Sequence, residues 1–181
     1  GFFDIPVDHL LGNPTFVNYF LEKFPEEKYN HDEFVVVSPD VGSVSRARVF
    51  AGKVHMGLAI VDKRRQKANV CEVMNVIGDV RGKTCIIYDD MVDTAGSICN
   101  AAAALVENGA TEVYACATHG VLSGPAYERI QNSVLKELVI HNTIPLPENM
   151  PCDKIKQLDV APIFARAISH IHGGTSIADL F

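Results

Sequence analysis

No apolar run in the 181 residues approaches the length of a membrane span, and no basic segment precedes an apolar one at the start. Positive charge is scarce as well. Lys and Arg number 16 against 22 Asp and Glu, a net charge of −6, which argues against a scaffold for nucleic acid or a membrane while leaving room for a local basic site. No CxxC pair occurs. Cys71, Cys85, Cys99, Cys116 and Cys152 lie far apart and are odd in number, the pattern of reduced and mostly buried thiols, so the cytoplasm is the expected compartment. There is no internal repeat and no low-complexity tract, the run Ala101 to Ala104 being simply good helix. With 48% hydrophobic and 21% charged residues, one domain with a sizeable core is expected over residues 1–181. An initial Met is also missing. Gly1 leads straight into FFDIPVDHLL, apolar enough to need a partner surface, as expected for a piece of a longer chain, although a tag remnant would leave the same Gly.

What is present is organised around Cys85 to Ser97, CIIYDDMVDTAGS. An apolar strand over Cys85 to Tyr88 is expected to stop at Asp89 and Asp90, and a short turn then leads into a long Ala-rich helix from about Gly96 to Glu107. The amides of Thr94, Ala95, Gly96 and Ser97 would open that helix unpaired, at its positive dipole end, where a phosphate can settle. Asp89, Asp90 and Asp93 would repel such a phosphate unless they face other groups, and sugar hydroxyls or a magnesium ion are the natural candidates. The stretch therefore asks for a phosphorylated sugar. A plain Asp-rich strand-to-helix turn is the ordinary alternative.

Strands and helices alternate along the rest. The pattern predicts a helix over Thr15 to Lys23, a strand over Glu33 to Ser38, a helix over Ser43 to Ala51 and a strand over His55 to Val61. A cationic turn from Asp62 to Lys67 should lead into a β-ribbon over Val70 to Val80. Further strands are expected at Glu112 to Thr118, Leu138 to His141 and Lys156 to Val160, with helices at Ala126 to Ser133 and Ala161 to His172. The economical fold is α/β, a parallel sheet flanked by helices. Its ligands would sit at the carboxyl ends of the strands, where Asp40, Asp62 to Arg65, Asp89 to Ser97, and Thr118 to Gly124 are expected to converge. Seven of the 16 basic residues lie between Arg46 and Lys67, an island suited to a highly charged small ligand and to a loop that closes over it. Taken alone, a solvated basic turn explains such a run equally simply.

Strand, Asp-Asp, two residues and Asp-Thr-Ala-Gly-Ser together resemble the ribose-phosphate loop of the type I phosphoribosyltransferase fold. The resemblance narrows at Asp62-Lys63-Arg64-Arg65 with its adjoining ribbon, at Ser38-Pro39-Asp40-Val41-Gly42-Ser43 and at Thr118-His119-Gly120, which are similar to loops of the ribose-phosphate pyrophosphokinases. The opening GFFDIPVDHL matches the start of that family's C-terminal half. The resemblance covers essentially the whole chain and implies ATP and ribose 5-phosphate as substrates, phosphoribosyl pyrophosphate and AMP as products, Mg2+ as cofactor, and homodimers that assemble into hexamers. It gives Asp89 and Asp90 the ribose hydroxyls, Asp93 to Ser97 the 5-phosphate, and Lys63 and Arg65 the transferring β-phosphoryl group. Asp40 would approach the metal, and Gly42, Ser43, Arg46 and His119 the pyrophosphate and nucleotide. Ser43 stands where the family commonly has a second Gly, and lost φ freedom there is expected to shift the amides that meet pyrophosphate. The family's other half supplies a metal-binding His and much of the adenine pocket, so this piece alone should be inactive or nearly so. A phosphoribosyltransferase, or a non-catalytic synthetase-associated subunit, is the alternative.

Three lesser groups have bland readings beside the functional ones. His119 either touches nucleotide or braces a loop, His170 and His172 read as satisfied helix-end residues, and Asp4 and Asp8 read as contact or turn acids.

Overall fold

Phe34 to Val37 is a run of four apolar residues, and each of them is buried in the strand they form, β1 (Phe34–Ser38). A strand covered on both faces has to lie inside a sheet. The computed structural model describes residues 2–64 and 73–180. Among them β1, β2 (Gly57–Arg64), β3 (Val73–Ile77), β4 (Thr84–Val92), β5 (Glu112–Gly120), β6 (Glu137–His141) and β7 (Ile155–Leu158) make one sheet in the order β3-β2-β1-β4-β5-β6-β7. All neighbours are parallel except β2 and β3, the expected ribbon, which pair antiparallel with Ile60 opposite Ile77 and Lys63 opposite Met74.

Alternation along the central strands sorts their side chains into two cores. Val35, Val37, Cys85 and Ile87 point to the face covered by α3 (Gly96–Glu107) and α4 (Ala126–Asn132), packing with Ile98, Ala102, Leu105 and Ile130. Phe34, Val36, Ile86 and Tyr88 point to the other, covered by α1 (Asn13–Lys23) and α2 (Val44–Lys53). That face is aromatic. Phe50 stacks on Tyr88 at 4.7 Å and Phe16 meets the same ring edge-on at 6.3 Å. The last helix, α5 (Ala161–His172), buries only Ala167 and leaves Phe164, Ile168 and Ile171 exposed.

Several expected boundaries shift: β5 runs to Gly120 rather than to Thr118, and two further shifts carry charged residues. Asp89 and Asp90 do not end their strand, because β4 continues to Val92 with Asp89 opposite Ala117 and Met91 opposite His119. Likewise Asp62 to Arg64 belong to β2, where they pair with Asn75, Met74 and Val73. In both places a neighbouring strand offers backbone partners beyond the edge of the core, and polar side chains do not prevent the ladder from using them. The strand order reverses between β1 and β4. Connections leave in opposite directions there and open a crevice at the carboxyl ends of those two strands.

Candidate functional site

β4 delivers its two carboxylates to the rim of that crevice. Asp89 is half-buried, and its Oδ1 accepts the amide N–H of Asp90 at 2.9 Å. Burial pushes its carboxyl up to about 6; the Asp90 amide works against the shift, and the negative charges of Asp90 and Asp40 reinforce it. A carboxylate so placed gains from a cation or from hydroxyl donors. The cleft in front of it, about 260 Å³, is lined by Asp40, Met74, Asp89, Met91 and residues 92–98. That is just below the usual range for ligand sites, with room for one compact ligand.

Asp40 follows β1 directly and starts a chain of bonds toward Asp90. Its Oδ1 accepts the Ser43 amide at 2.7 Å, the Ser43 hydroxyl accepts from Arg46 at 3.1 Å, and Arg46 pairs with the Asp90 carboxylate at 3.1 Å. Ser43 is the buried N-cap of α2 at φ −89, an ordinary conformation for any residue. Gly42 is the position under closer constraint, since a Cβ there would lie 3.3 Å from Asp40 Oδ1.

The segment between β4 and α3 has the form of an anion cradle. Ala95, the N-cap of α3, is left-handed at φ 59 and has no side chain that could cap the helix. Among the described residues no backbone acceptor takes the amides of Asp93, Thr94 or Ala95. The carbonyls of the same stretch are occupied by the next strand-to-helix turn. Val121 and Leu122 donate to Val92 O at 2.9 and 3.1 Å, Ser123 N to Asp93 O at 3.1 Å, and Arg129 to Thr94 O at 3.0 Å, while the Ser123 hydroxyl donates to the Asp93 carboxylate. Ser123 lies in the stretch Thr118 to Gly124 that the sequence places at the crevice, whereas Arg129 lies outside it. For Arg129 the available signal is an arginine in the last turn of the short helix that follows a Gly-Pro turn.

Many of the site residues expected from the sequence meet in two hollows that share Asp89, while Gly42 and Ser43 stand beside them in the turn into α2. Asp40 and residues 93–97 lie in the first. Arg46, Asp90 and His119 line the second, about 520 Å³, with His9 to Asn13, Tyr88 and Thr118. His119 braces a loop, its Nδ1 lying 2.9 Å from Thr143 Oγ1, and it borders the hollow too. Lys63 lies on β2 one residue before its end, whereas Arg65 falls outside the described residues. His170 sits at the end of α5 with Nδ1 2.6 Å from Ser176 O, as expected of a satisfied helix-end residue. Among the described residues no three His, Cys, Asp or Glu side chains converge closely enough to hold a metal by themselves. Asp40 and Asp89 do fit magnesium, which commonly takes one or two carboxylates and completes its shell with phosphate and water. No described helix is long and apolar enough to cross a membrane.

Residues 65–181 match the family model described as the phosphoribosyl synthetase-associated domain. The whole chain is 60% identical to the ribose-phosphate pyrophosphokinase of Caldanaerobacter subterraneus and 54% identical to that of Bacillus subtilis, covering 56% and 55% of those proteins. It therefore spans about half the length of the curated relatives it matches. The fold superposes on a crystal structure of phosphoribosylpyrophosphate synthetase from Mycobacterium smegmatis with a TM-score of 0.84 at 37% identity, over 96% of this chain and 54% of that one. A hypoxanthine phosphoribosyltransferase from Trypanosoma cruzi shares the fold alone, at 9% identity and a TM-score of 0.50, over 82% of this chain and 76% of that one. With its carboxylate pair and anion cradle at the switch point of a phosphoribosyltransferase-type sheet, the chain belongs to the ribose-phosphate pyrophosphokinase family.

Proposed function

We propose that the protein to which this chain belongs transfers the β,γ-diphosphoryl group of ATP to the C1 hydroxyl of ribose 5-phosphate, and that residues 1–181 are its phosphoribosyltransferase-like sugar-binding domain. The observation that carries this reading is the cleft in which Asp89 adjoins the cradle of residues 93–97, carboxylate for sugar hydroxyls beside amides for a phosphate.

In this reading Asp89 and Asp90 accept hydrogen bonds from the ribose 2- and 3-hydroxyls and Asp93 to Ser97 hold the 5-phosphate, which fixes C1 toward the Asp40 side. The C1 oxygen attacks the β-phosphorus, the bond from that phosphorus to the α-bridging oxygen breaks, AMP leaves with that oxygen, and the hydroxyl proton passes to solvent water. Such a transfer asks the protein mainly for placement and positive charge. Arg46 would meet the pyrophosphate, Lys63 and Arg65 the transferring oxygens, and His119 the nucleotide side. Asp40 and Asp89 would hold Mg2+, which when bound neutralises charge on the phosphate oxygens. By the family resemblance, the rest of the chain and neighbouring copies in dimers and hexamers would complete the ATP pocket. The cytoplasm, where nucleotides are made, is the proposed compartment.

The test uses the full-length protein with ribose 5-phosphate, ATP and magnesium, wild type beside Lys63→Ala, and measures AMP and phosphoribosyl pyrophosphate. Both products from the wild type, with loss by orders of magnitude in the variant, are expected. No AMP despite bound ribose 5-phosphate would instead indicate a non-catalytic subunit.

A further inference from the structure

The conformation of the phosphate cradle is not self-supporting. Ala95 holds a left-handed φ of 59 without glycine's freedom, a conformation that is strained for an L-residue, and it gives α3 no capping side chain. What holds the cradle is the neighbouring turn. Three consecutive carbonyls, those of Val92, Asp93 and Thr94, each accept from residues 121–129: from Val121 and Leu122, from Ser123, and from Arg129.

This pattern has a geometric consequence. A trans peptide is planar, so its C=O and N–H point to opposite sides, and the carbonyl of one residue shares its plane with the amide of the next. Drawing the carbonyls of Val92, Asp93 and Thr94 toward the 121–129 segment turns the amides of Asp93, Thr94 and Ala95 away from it. Those are the amides that lack a backbone acceptor among the described residues, and their residues line the cleft. Successive amides turned to one side make a concavity for an anion. Ser123 acts twice in this arrangement. Its backbone fixes one peptide plane, and its hydroxyl draws the Asp93 carboxylate, whose charge would otherwise oppose a phosphate, toward the turn. Arg129 also closes over the loop from behind, since a Cβ on Gly96 would lie 3.4 Å from its Nη1.

We propose that the turn Val121–Arg129 is a clasp that presets the amides of the 5-phosphate loop, with Ser123 and Arg129 as positioning residues for ribose 5-phosphate. The inference rests on the sugar-phosphate reading of the cleft. A preset cradle spares the ligand the cost of ordering the loop, so its loss weakens binding of the phosphorylated sugar and leaves chemistry and ATP binding in place.

The test is a steady-state and binding comparison on the full-length protein with Arg129→Ala, Ser123→Ala and Arg129→Lys. Each alanine variant should raise the KM and Kd for ribose 5-phosphate about tenfold, with kcat, the KM for ATP and Tm little changed. Affinity for unphosphorylated ribose should not respond, and Arg129→Lys should recover part of the loss by restoring a donor to Thr94 O. Wild-type protein that binds ribose 5-phosphate, with variants that bind it equally well, overturns the clasp alone. A parallel fall in both substrates' parameters and in Tm overturns it too, by showing a general structural role. Wild-type protein that does not bind ribose 5-phosphate overturns the underlying reading and the clasp with it.

Discussion

Arg46 and Asp90 are bonded to each other at 3.1 Å, although the family resemblance gives them to different substrates, pyrophosphate for the arginine and ribose for the carboxylate. Under the proposed assignments the pair would link the two halves of the reaction through one ion pair. Both side chains are about half exposed, at 48% and 49%, so water screens the attraction and its contribution to stability is at most about 1 kcal/mol.

Arg46→Ala should for that reason separate function from folding. Its Tm should stay close to that of the wild type, while the KM for ATP rises about tenfold or more through loss of a charge that meets the pyrophosphate. A thermal melt and an ATP titration on the same preparation check both halves. A large fall in Tm with an unchanged KM would assign Arg46 to the fold.

In the proposed role, Asp89 should set a pH limit on sugar binding. Its carboxyl keeps its proton up to about pH 6, against an ordinary value of 3.8, because it is half-buried beside other acids. For folding, this raised value contributes stability that is complete below 3.8 and disappears as the pH rises through 6. For binding the sign is opposite, since ribose hydroxyls need the ionised acceptor. The KM for ribose 5-phosphate should therefore climb as pH falls below 6. The sugar's own phosphate titrates near the same pH, so the informative quantity is the difference between wild type and Asp89→Asn. The variant should bind more weakly at pH 7.5 and lose the carboxylate's share of the pH dependence. Parallel profiles would remove Asp89 from that role.

Asp40 allows a similarly clean substitution. In Asp40→Asn the side-chain amide would still offer an oxygen to the Ser43 N–H, which now lies 2.7 Å from Asp40 Oδ1, so the turn into α2 should persist while one charge is lost. The variant should raise the magnesium concentration for half-maximal AMP formation about tenfold at unchanged Tm, and chelation should abolish AMP formation in both proteins. Identical magnesium titrations would place the metal elsewhere.

How much of this was legible in the sequence follows from where each signal resides. β1 and α3 were readable because an uninterrupted β-branched run and an alanine-rich helix ending at Asn108-Gly109 depend on local chemistry. The ends of β2 and β4 were not, because Asp62 to Arg64 and Asp89 to Val92 stay in strands only through their partners on β3 and β5. The same distinction divides the site. Asp89, Asp90 and residues 93–97 form a contiguous motif, so the string itself located them. Ser123 and Arg129 reach the cradle across about 30 positions or more of sequence, the separation Ser123 has from Asp93, and only the parallel pairing of β4 with β5 brings them there. Ser43 shows a third limit: its backbone is ordinary, and its hydroxyl carries a contact to Arg46 that glycine could not make and that a residue string does not announce.

Gly12 and His141 make a tighter test of packing. Thr15 gives its hydroxyl proton to Gly12 O at 2.8 Å, so the hydroxyl must accept from His141 Nε2, 2.9 Å away, and the histidine carries its hydrogen there. Nδ1 is left a bare acceptor, fully buried, with its ring stacked on Phe16 at 4.0 Å. Burial, with His119 nearby, lowers its pKa from 6.5 to about 4. The neutral ring thus contributes stability that is complete above 6.5 and is lost as the pH falls through 6.5 toward 4, where the unfolded chain takes the proton and the folded one resists it. Asp89 works in the opposite direction over part of that range, so wild type has to be compared with His141→Gln, which should lose less stability between pH 7 and pH 5. Gly12 is what admits the ring. Its φ of −74 suits any residue, but a Cβ would stand 2.5 Å from His141 Cε1 and 2.8 Å from Nδ1. Gly12→Ala should cost about 1–3 kcal/mol by overpacking. In a His141→Ala background that cost should largely vanish, because the atoms it strikes are gone, and urea unfolding of the four proteins measures the coupling. Additive losses would show that the ring and the glycine do not meet as described.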